Sequence, residues 1–141
     1  MATSLKSAEL WRTVGSHALT ATHSGNGTAS AYLQGNRIVC DFTDLGSGET
    51  ITLSVPFDME LCDMSLRVTN GQNVGSKTLT LGNAGDAISD AISMATDVDL
   101  IRPSTWDSDN VAFSKGDDDI RLTSSAHGDG DARVIIEVIA T

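Results

Sequence analysis

The feature of this chain that most restricts its fold is a series of short stretches in which apolar and polar residues alternate. Alternation with a period of two places the apolar side chains on one face of a β-strand, whereas a helix needs a period near 3.6. The stretches recur at roughly ten-residue spacing and are joined by turns rich in Gly, Asn and Asp. They occupy residues 37–42, 50–57, 62–70, 77–83, 98–101, 120–123 and 132–140. This pattern predicts an all-β protein, an antiparallel β-sandwich or jelly roll of seven or eight short strands.

The alternation also predicts which side chains face the core and which face outward. Threonine is abundant at the outward positions, where its branched side chain favours extended backbone. The last stretch, 132–140, is largely apolar on both faces, which predicts a central position in a sheet or burial against a neighbouring subunit. Segment 84–95 is compatible with a helical turn or with a short irregular strand. The predicted inward residues of the first four stretches are Ile38, Cys40, Phe42, Ile51, Leu53, Val55, Met64, Leu66, Val68, Leu79 and Leu81.

The first thirty residues lack this alternation, so we expect residues 1–30 to form an N-terminal arm or loosely held segment and residues 31–141 to form the sandwich domain. Within the arm, residues 7–14 can form one or two helical turns, with Ser7 as the cap. Leu10, Trp11 and Val14 would then share one side. A tryptophan on an arm is costly to leave in water, so we expect Trp11 to dock on another surface.

Length, charge and cysteine content narrow the class of protein. A chain of 141 residues is long enough for one domain with a real core. Its net charge of −10 disfavours binding to nucleic acid and to anionic membranes. No apolar run reaches the ~20 residues of a membrane span, and no secretory signal is evident, so we expect synthesis in a cytoplasm. Cys40 and Cys62 are expected to be buried thiols, with a disulfide between them as the alternative.

Five aspartates and His127 lie in the stretch KGDDDIRLTSSAHGDGD, which reads either as a metal site or as acidic turns. A calcium-binding EF-hand requires alternating oxygen ligands that end in a glutamate, and no glutamate lies at that position. Asp117, Asp118 and Asp119 precede a strand, whereas Asp129 and Asp131 fall in the next connection. We therefore expect solvated turns and no cofactor, with weak calcium binding as the alternative. Because no catalytic arrangement of residues is evident, we also expect that the protein is not an enzyme.

Two segments resemble the tailed-bacteriophage capsid decoration proteins, also called head cement proteins. They are LGSGETITLSVPFDMELCDMSLRVTNGQNVGSKTLTLGN and KGDDDIRLTSSAHGDGDARVIIEV. The resemblance implies a homotrimeric jelly roll on the exterior of the virion capsid. Such a protein, assembled in the host cytoplasm, would bridge subunits of the major capsid protein and strengthen the shell. On that basis Leu5, Leu10, Trp11 and Val14 are the candidate capsid contacts, unless they fold back onto their own sandwich.

A carbohydrate- or receptor-binding sandwich of a phage tail fibre or spike is the alternative function. Such modules stack sugar rings on exposed aromatic side chains. Trp106, in the acidic loop STWDSDN, is the best candidate, with Asp107 and Asp109 as hydrogen-bond acceptors or calcium ligands.

Overall fold

A computed structural model describes residues 16–70, 77–94, 98–116, 118–125 and 130–141. These residues form twelve β-strands and no helix, so none of them belongs to a helix that could cross a membrane. The strands are β1 (Ser16–Leu19), β2 (Ala21–His23), β3 (Ala29–Gln34), β4 (Arg37–Leu45), β5 (Thr50–Ser54), β6 (Met59–Asn70), β7 (Thr78–Gly82), β8 (Ile92–Ser93), β9 (Val98–Ile101), β10 (Ala112–Phe113), β11 (Asp119–Ser125) and β12 (Gly130–Ala140).

The strands form two antiparallel sheets, which confirms the predicted sandwich. The seven-stranded sheet has the order β1-β3-β4-β12-β6-β10, and β9 pairs with the other end of β6. The five-stranded sheet has the order β2-β5-β11-β7-β8. Eight of the strands follow jelly-roll topology, with β4-β12-β6-β9 in one sheet and β5-β11-β7-β8 in the other. Strands β1, β2, β3 and β10 extend these two four-stranded layers.

The core lies between the two sheets and contains the side chains that the alternation assigns to it. All eleven predicted inward residues of β4, β5, β6, β7 and the link after β5 are buried. The outward positions between them carry mainly polar side chains, as the period of two requires. Segment 84–95 contains the short strand β8 and isolated β-bridges, so its irregular-strand interpretation is confirmed.

Strand β12 lies between β4 and β6, which confirms its predicted central position. Its inward residues Ala132, Val134, Ile136 and Val138 are buried in the core. Outward apolar side chains remain on the same strand, because Ile135 is half-buried and Ile139 is 47% exposed. The outward apolar side chains of β12 therefore lie on the outer surface of the sandwich.

The boundary of the expected arm changes, because residues 16–30 take part in the sheets. Strand β1 pairs with β3, and β2 pairs with β5. Leu19 belongs to the buried core. Small and polar residues gave this region no alternating signal, although backbone pairing does not require large side chains. An arm can therefore comprise only residues 1–15, which lie outside the described residues.

The two cysteines are free thiols in different environments. Cys40 is buried in β4, as expected, and burial together with the nearby Asp41 carboxylate raises its pKa to about 12. Cys62 is exposed, so the prediction that it is buried is wrong. It lies on β6 where the pairing with β12 shifts register. Partial desolvation and the carboxylates of Glu60, Glu137 and Asp63 raise its pKa as well.

We expect one thiol of the native protein to react with Ellman's reagent at pH 8, and the second to react only after unfolding. Exposure makes Cys62 the reactive group, but its raised pKa slows the reaction relative to free cysteine. Cys62→Ser should abolish the native reaction, and Cys40→Ser should leave it unchanged. Two thiols reacting at equal rates in the native protein would contradict this assignment.

Candidate functional site

The structure does not describe the four residues that the sequence analysis predicts as capsid contacts. Leu5, Leu10, Trp11 and Val14 lie outside the described residues. They remain predictions, and the search for an interaction surface turns to the sandwich itself.

The described aspartates of the acidic stretch lie at the beginnings of strands: Asp118 precedes β11, Asp119 is its first residue, and Asp131 is the second residue of β12. Asp118 accepts a hydrogen bond from the Ser114 backbone N–H at 2.9 Å, and Asp131 accepts one from Asp44 N–H at 2.9 Å. These contacts are typical of aspartates that satisfy turn backbone. Asp117, His127 and Asp129 lie outside the described residues. Among the residues that are described, no three His, Cys, Asp or Glu side chains are grouped to hold a metal ion.

The Trp106 loop is organised by its own contacts. Trp106 is half-buried against the hydrophobic core and forms a β-bridge with Ser89. The Asp107 carboxylate accepts hydrogen bonds from Asp109 N–H at 3.0 Å and from the Asn110 side chain at 2.7 Å. Part of the Trp106 side chain is therefore covered by the core.

The two outer faces of the sandwich differ in chemistry. On the five-stranded sheet, cross-strand register produces rows of hydroxyl side chains, such as Thr50–Thr123–Thr80. We call this surface the hydroxyl face. Its outward residues are Thr22, Thr50, Thr52, Ser54, Thr78, Thr80, Ser93, Asp119, Arg121, Thr123 and Ser125.

The outer face of the seven-stranded sheet combines arginines, carboxylates and apolar side chains, and we call it the arginine face. One row across the strands runs Val39–Ile135–Ser65, and the next runs Asp41–Arg133–Arg67. Leu100 of β9 is 59% exposed at the end of the second row. The face comprises Arg37, Val39, Asp41, Glu60, Asp63, Ser65, Arg67, Leu100, Arg133, Ile135, Glu137 and Ile139, with Arg102 at its edge.

Ion pairs tie these strands together on the arginine face. The Arg133 guanidinium donates two hydrogen bonds to the Asp41 carboxylate, at 2.7 and 3.0 Å, which raise the pKa of Arg133. Arg37 lies 3.5 Å from Glu137 across β4 and β12. At the sheet edge, Arg102 lies 3.4 Å from Asp63. These ion pairs are exposed to solvent, so each adds little to the stability of the fold. Their main effect is to orient the side chains on the surface.

The arginine face combines many charged groups with exposed apolar side chains. It holds four of the six arginines of the chain, against the carboxylates of Asp41, Glu60, Asp63 and Glu137, so the charges of these residues cancel in a chain with a net charge of −10. The large apolar side chains that are exposed among the described residues, Leu100 and Ile139, lie on the same face.

Two shallow cavities lie on this face. One, of about 260 Å³, is lined by Ser65, Arg67, Leu100, Arg133 and Ile135. The other, of about 520 Å³, lies around Cys62 and Ile139 beside the turn that connects β3 and β4. We refer to the first as the Arg67 groove. The apolar outward residues of β12 are the one feature of the sequence that indicates this surface.

Comparisons with known proteins add little to these observations. No family model matches the chain, and no curated protein matches it. One solved chain with structural similarity comes from the capsid asymmetric unit of cyanophage Pam1. It has a TM-score of 0.47 and 16% sequence identity, and the match covers 88% of this chain and 87% of that chain. A likeness at this level carries no argument about function, which depends on the site.

Proposed function

We propose that this chain is a structural virion protein that decorates the outside of an icosahedral phage capsid and bridges major capsid protein subunits. The resemblance of residues 45–141 to capsid decoration proteins suggests this role. The jelly-roll topology is compatible with it, because that architecture recurs in viral capsid and lectin domains. Fold alone does not decide the function, so the proposal depends on the surface.

The observation that carries the proposal is the contrast between the two faces of the sandwich. Protein interfaces are enriched in arginine and depleted in lysine, aspartate and glutamate. The arginine face shares the enrichment in arginine and carries exposed Leu100 and Ile139, and three of its four carboxylates are paired with its guanidinium groups. The hydroxyl face consists mainly of uncharged hydroxyl side chains, and the charged residues in its definition are Arg121 and Asp119. We therefore propose that the arginine face contacts the shell and that the hydroxyl face points to solvent.

The remaining parts of the proposal concern assembly. Many weakly bound copies on one shell gain avidity, so each copy needs only a modest contact area. The proposed form is a homotrimer assembled in the host cytoplasm and carried on the capsid exterior. Residues 1–15, including Leu5, Leu10, Trp11 and Val14, are proposed to reach a neighbouring subunit. The net charge of −10 suits a position away from packaged DNA.

Binding to capsids tests this function. Capsids of the phage that encodes the chain, prepared without it, should be mixed with the purified protein and sedimented. We expect saturable binding at a fixed number of copies per capsid and a higher temperature of DNA release. A glycan array run in parallel addresses the alternative function. Absence of capsid binding, or binding to glycans alone, would contradict the proposal.

A further inference from the structure

The Arg67 groove contains a guanidinium that no described side chain neutralises. Arg67 of β6 lies directly opposite Arg133 of β12 in the antiparallel register. Like charges at such positions are unfavourable unless each has a counter-ion. Arg133 has one, the Asp41 carboxylate. Arg67 is exposed, and among the described residues it has no ion-pair or hydrogen-bond partner.

Apolar side chains surround this guanidinium. Leu100 is 59% exposed on one side of it, and half-buried Ile135 lies on β12 within the same groove. A partner that covers these side chains would remove water from Arg67, which strengthens its attraction for an anion. A guanidinium binds a carboxylate through two parallel hydrogen bonds, so the matching group is an aspartate or glutamate side chain.

The size of the groove indicates what kind of partner it accepts. At about 260 Å³ it is smaller than the sites that enclose drug-sized ligands, which begin near ~300 Å³. It has room for a few side chains of a polypeptide. A carboxylate beside an aliphatic residue would satisfy Arg67 and cover Leu100 together.

We infer that the Arg67 groove takes an acidic, aliphatic segment of the major capsid protein, with the carboxylate on Arg67 and the aliphatic side chain on Leu100 and Ile135. This inference rests on the proposed function and names the chemistry of the partner. Because the inference follows from the proposed function, capsid subunits are the occupant to which we commit. A second copy of the chain is the alternative occupant, and the solution masses measured below distinguish it.

Charge reversal of Arg67 tests the inference in the full-length protein. Arg67→Glu should weaken binding to the capsids described above by roughly tenfold to a hundredfold, because the variant sets two carboxylates against each other. Arg67→Lys should weaken binding less, since it keeps the charge but loses the planar fork. Lys115→Glu is the matched control: it makes the same charge change at an exposed turn residue, and its binding should stay within about twofold of wild type. Raising the salt concentration should weaken wild-type binding more steeply than Arg67→Glu binding.

The outcomes separate this inference from the proposed function. If wild type binds capsids and Arg67→Glu binds equally well, the groove assignment is overturned while the function stands. If wild type does not bind, the function itself fails. Light scattering gives the solution mass of each variant without capsids. A lower mass for Arg67→Glu would show that a second copy occupies the groove and would overturn the choice of capsid protein.

Discussion

Replacement of Ile136 by alanine is expected to lower the free energy of unfolding by about 3–4 kcal/mol. Ile136 is fully buried on the central strand β12. It stands between Ile38 of β4 and Met64 of β6 in the pairing register, and both neighbours are also buried. The truncation removes apolar contacts and leaves a cavity that strands held on both sides cannot close. Such a loss is a large share of the 5–15 kcal/mol that is typical of a folded domain.

Urea denaturation followed by circular dichroism measures this effect. Ile139→Ala is the matched control, because it truncates the same residue type on the same strand at a side chain that is 47% exposed. Ile139→Ala should lower the free energy of unfolding by less than about 1 kcal/mol. Ile136→Val should lower the free energy of unfolding by about 1 kcal/mol, between the other two variants. It can still be measured if the alanine variant does not fold. Equal costs at positions 136 and 139 would contradict the placement of the core.

Gly27→Ala is expected to cost about 3 kcal/mol, although the change adds a single methyl group. A Cβ at this position would overlap the backbone carbonyl oxygen of Thr43 and press against the His23 ring. Neither group can move freely. The His23 Nδ1 accepts a hydrogen bond from Gly25 N–H at 2.9 Å, so the ring donates through Nε2 to the same Thr43 carbonyl at 3.0 Å. The added methyl group therefore has to displace β4 or break this cluster.

Two other glycines calibrate the Gly27 result in the same denaturation assay. Gly85→Ala should change stability by less than about 0.5 kcal/mol, because the nearest atom to its new Cβ is the Asn83 Oδ1 at 4.0 Å. Gly25→Ala should fall between them, since its Cβ would meet the end of the flexible Glu49 side chain rather than backbone. If Gly27→Ala were as stable as Gly85→Ala, the close approach of residues 23–27 to β4 would be wrong.

The central strands could be predicted because the signal for each lies within its own few residues. In β5 and β6, apolar and polar residues alternate, and only an extended strand with one buried face accommodates that pattern. In β1 and β2 most residues are small or polar, and what keeps these strands in the sheets is backbone pairing with β3 and β5. Burial of Leu19 is the only strong apolar contribution from the first two strands. Such pairing leaves little trace in composition.

The arginine face was not predictable, because it exists only through strand register. Asp41, Arg67 and Arg133 are far apart in sequence, and they share one row because β12 lies between β4 and β6. A shift of one residue would turn each side chain to the opposite side of the sheet. The exposure of Leu100 likewise depends on β9 pairing at the edge of β6. The outward apolar residues of β12 indicated that this side of the sheet contacts another protein. They did not indicate which side chains surround them.

Electron cryomicroscopy of capsids incubated with the chain tests whether the arginine face contacts the shell. We expect density on the outside of the shell into which the jelly roll fits with Arg67, Leu100 and Ile139 turned toward the major capsid protein. In the same map the hydroxyl face should point to solvent. Capsids without added density, or with the sandwich bound through the hydroxyl face, would contradict the proposed orientation.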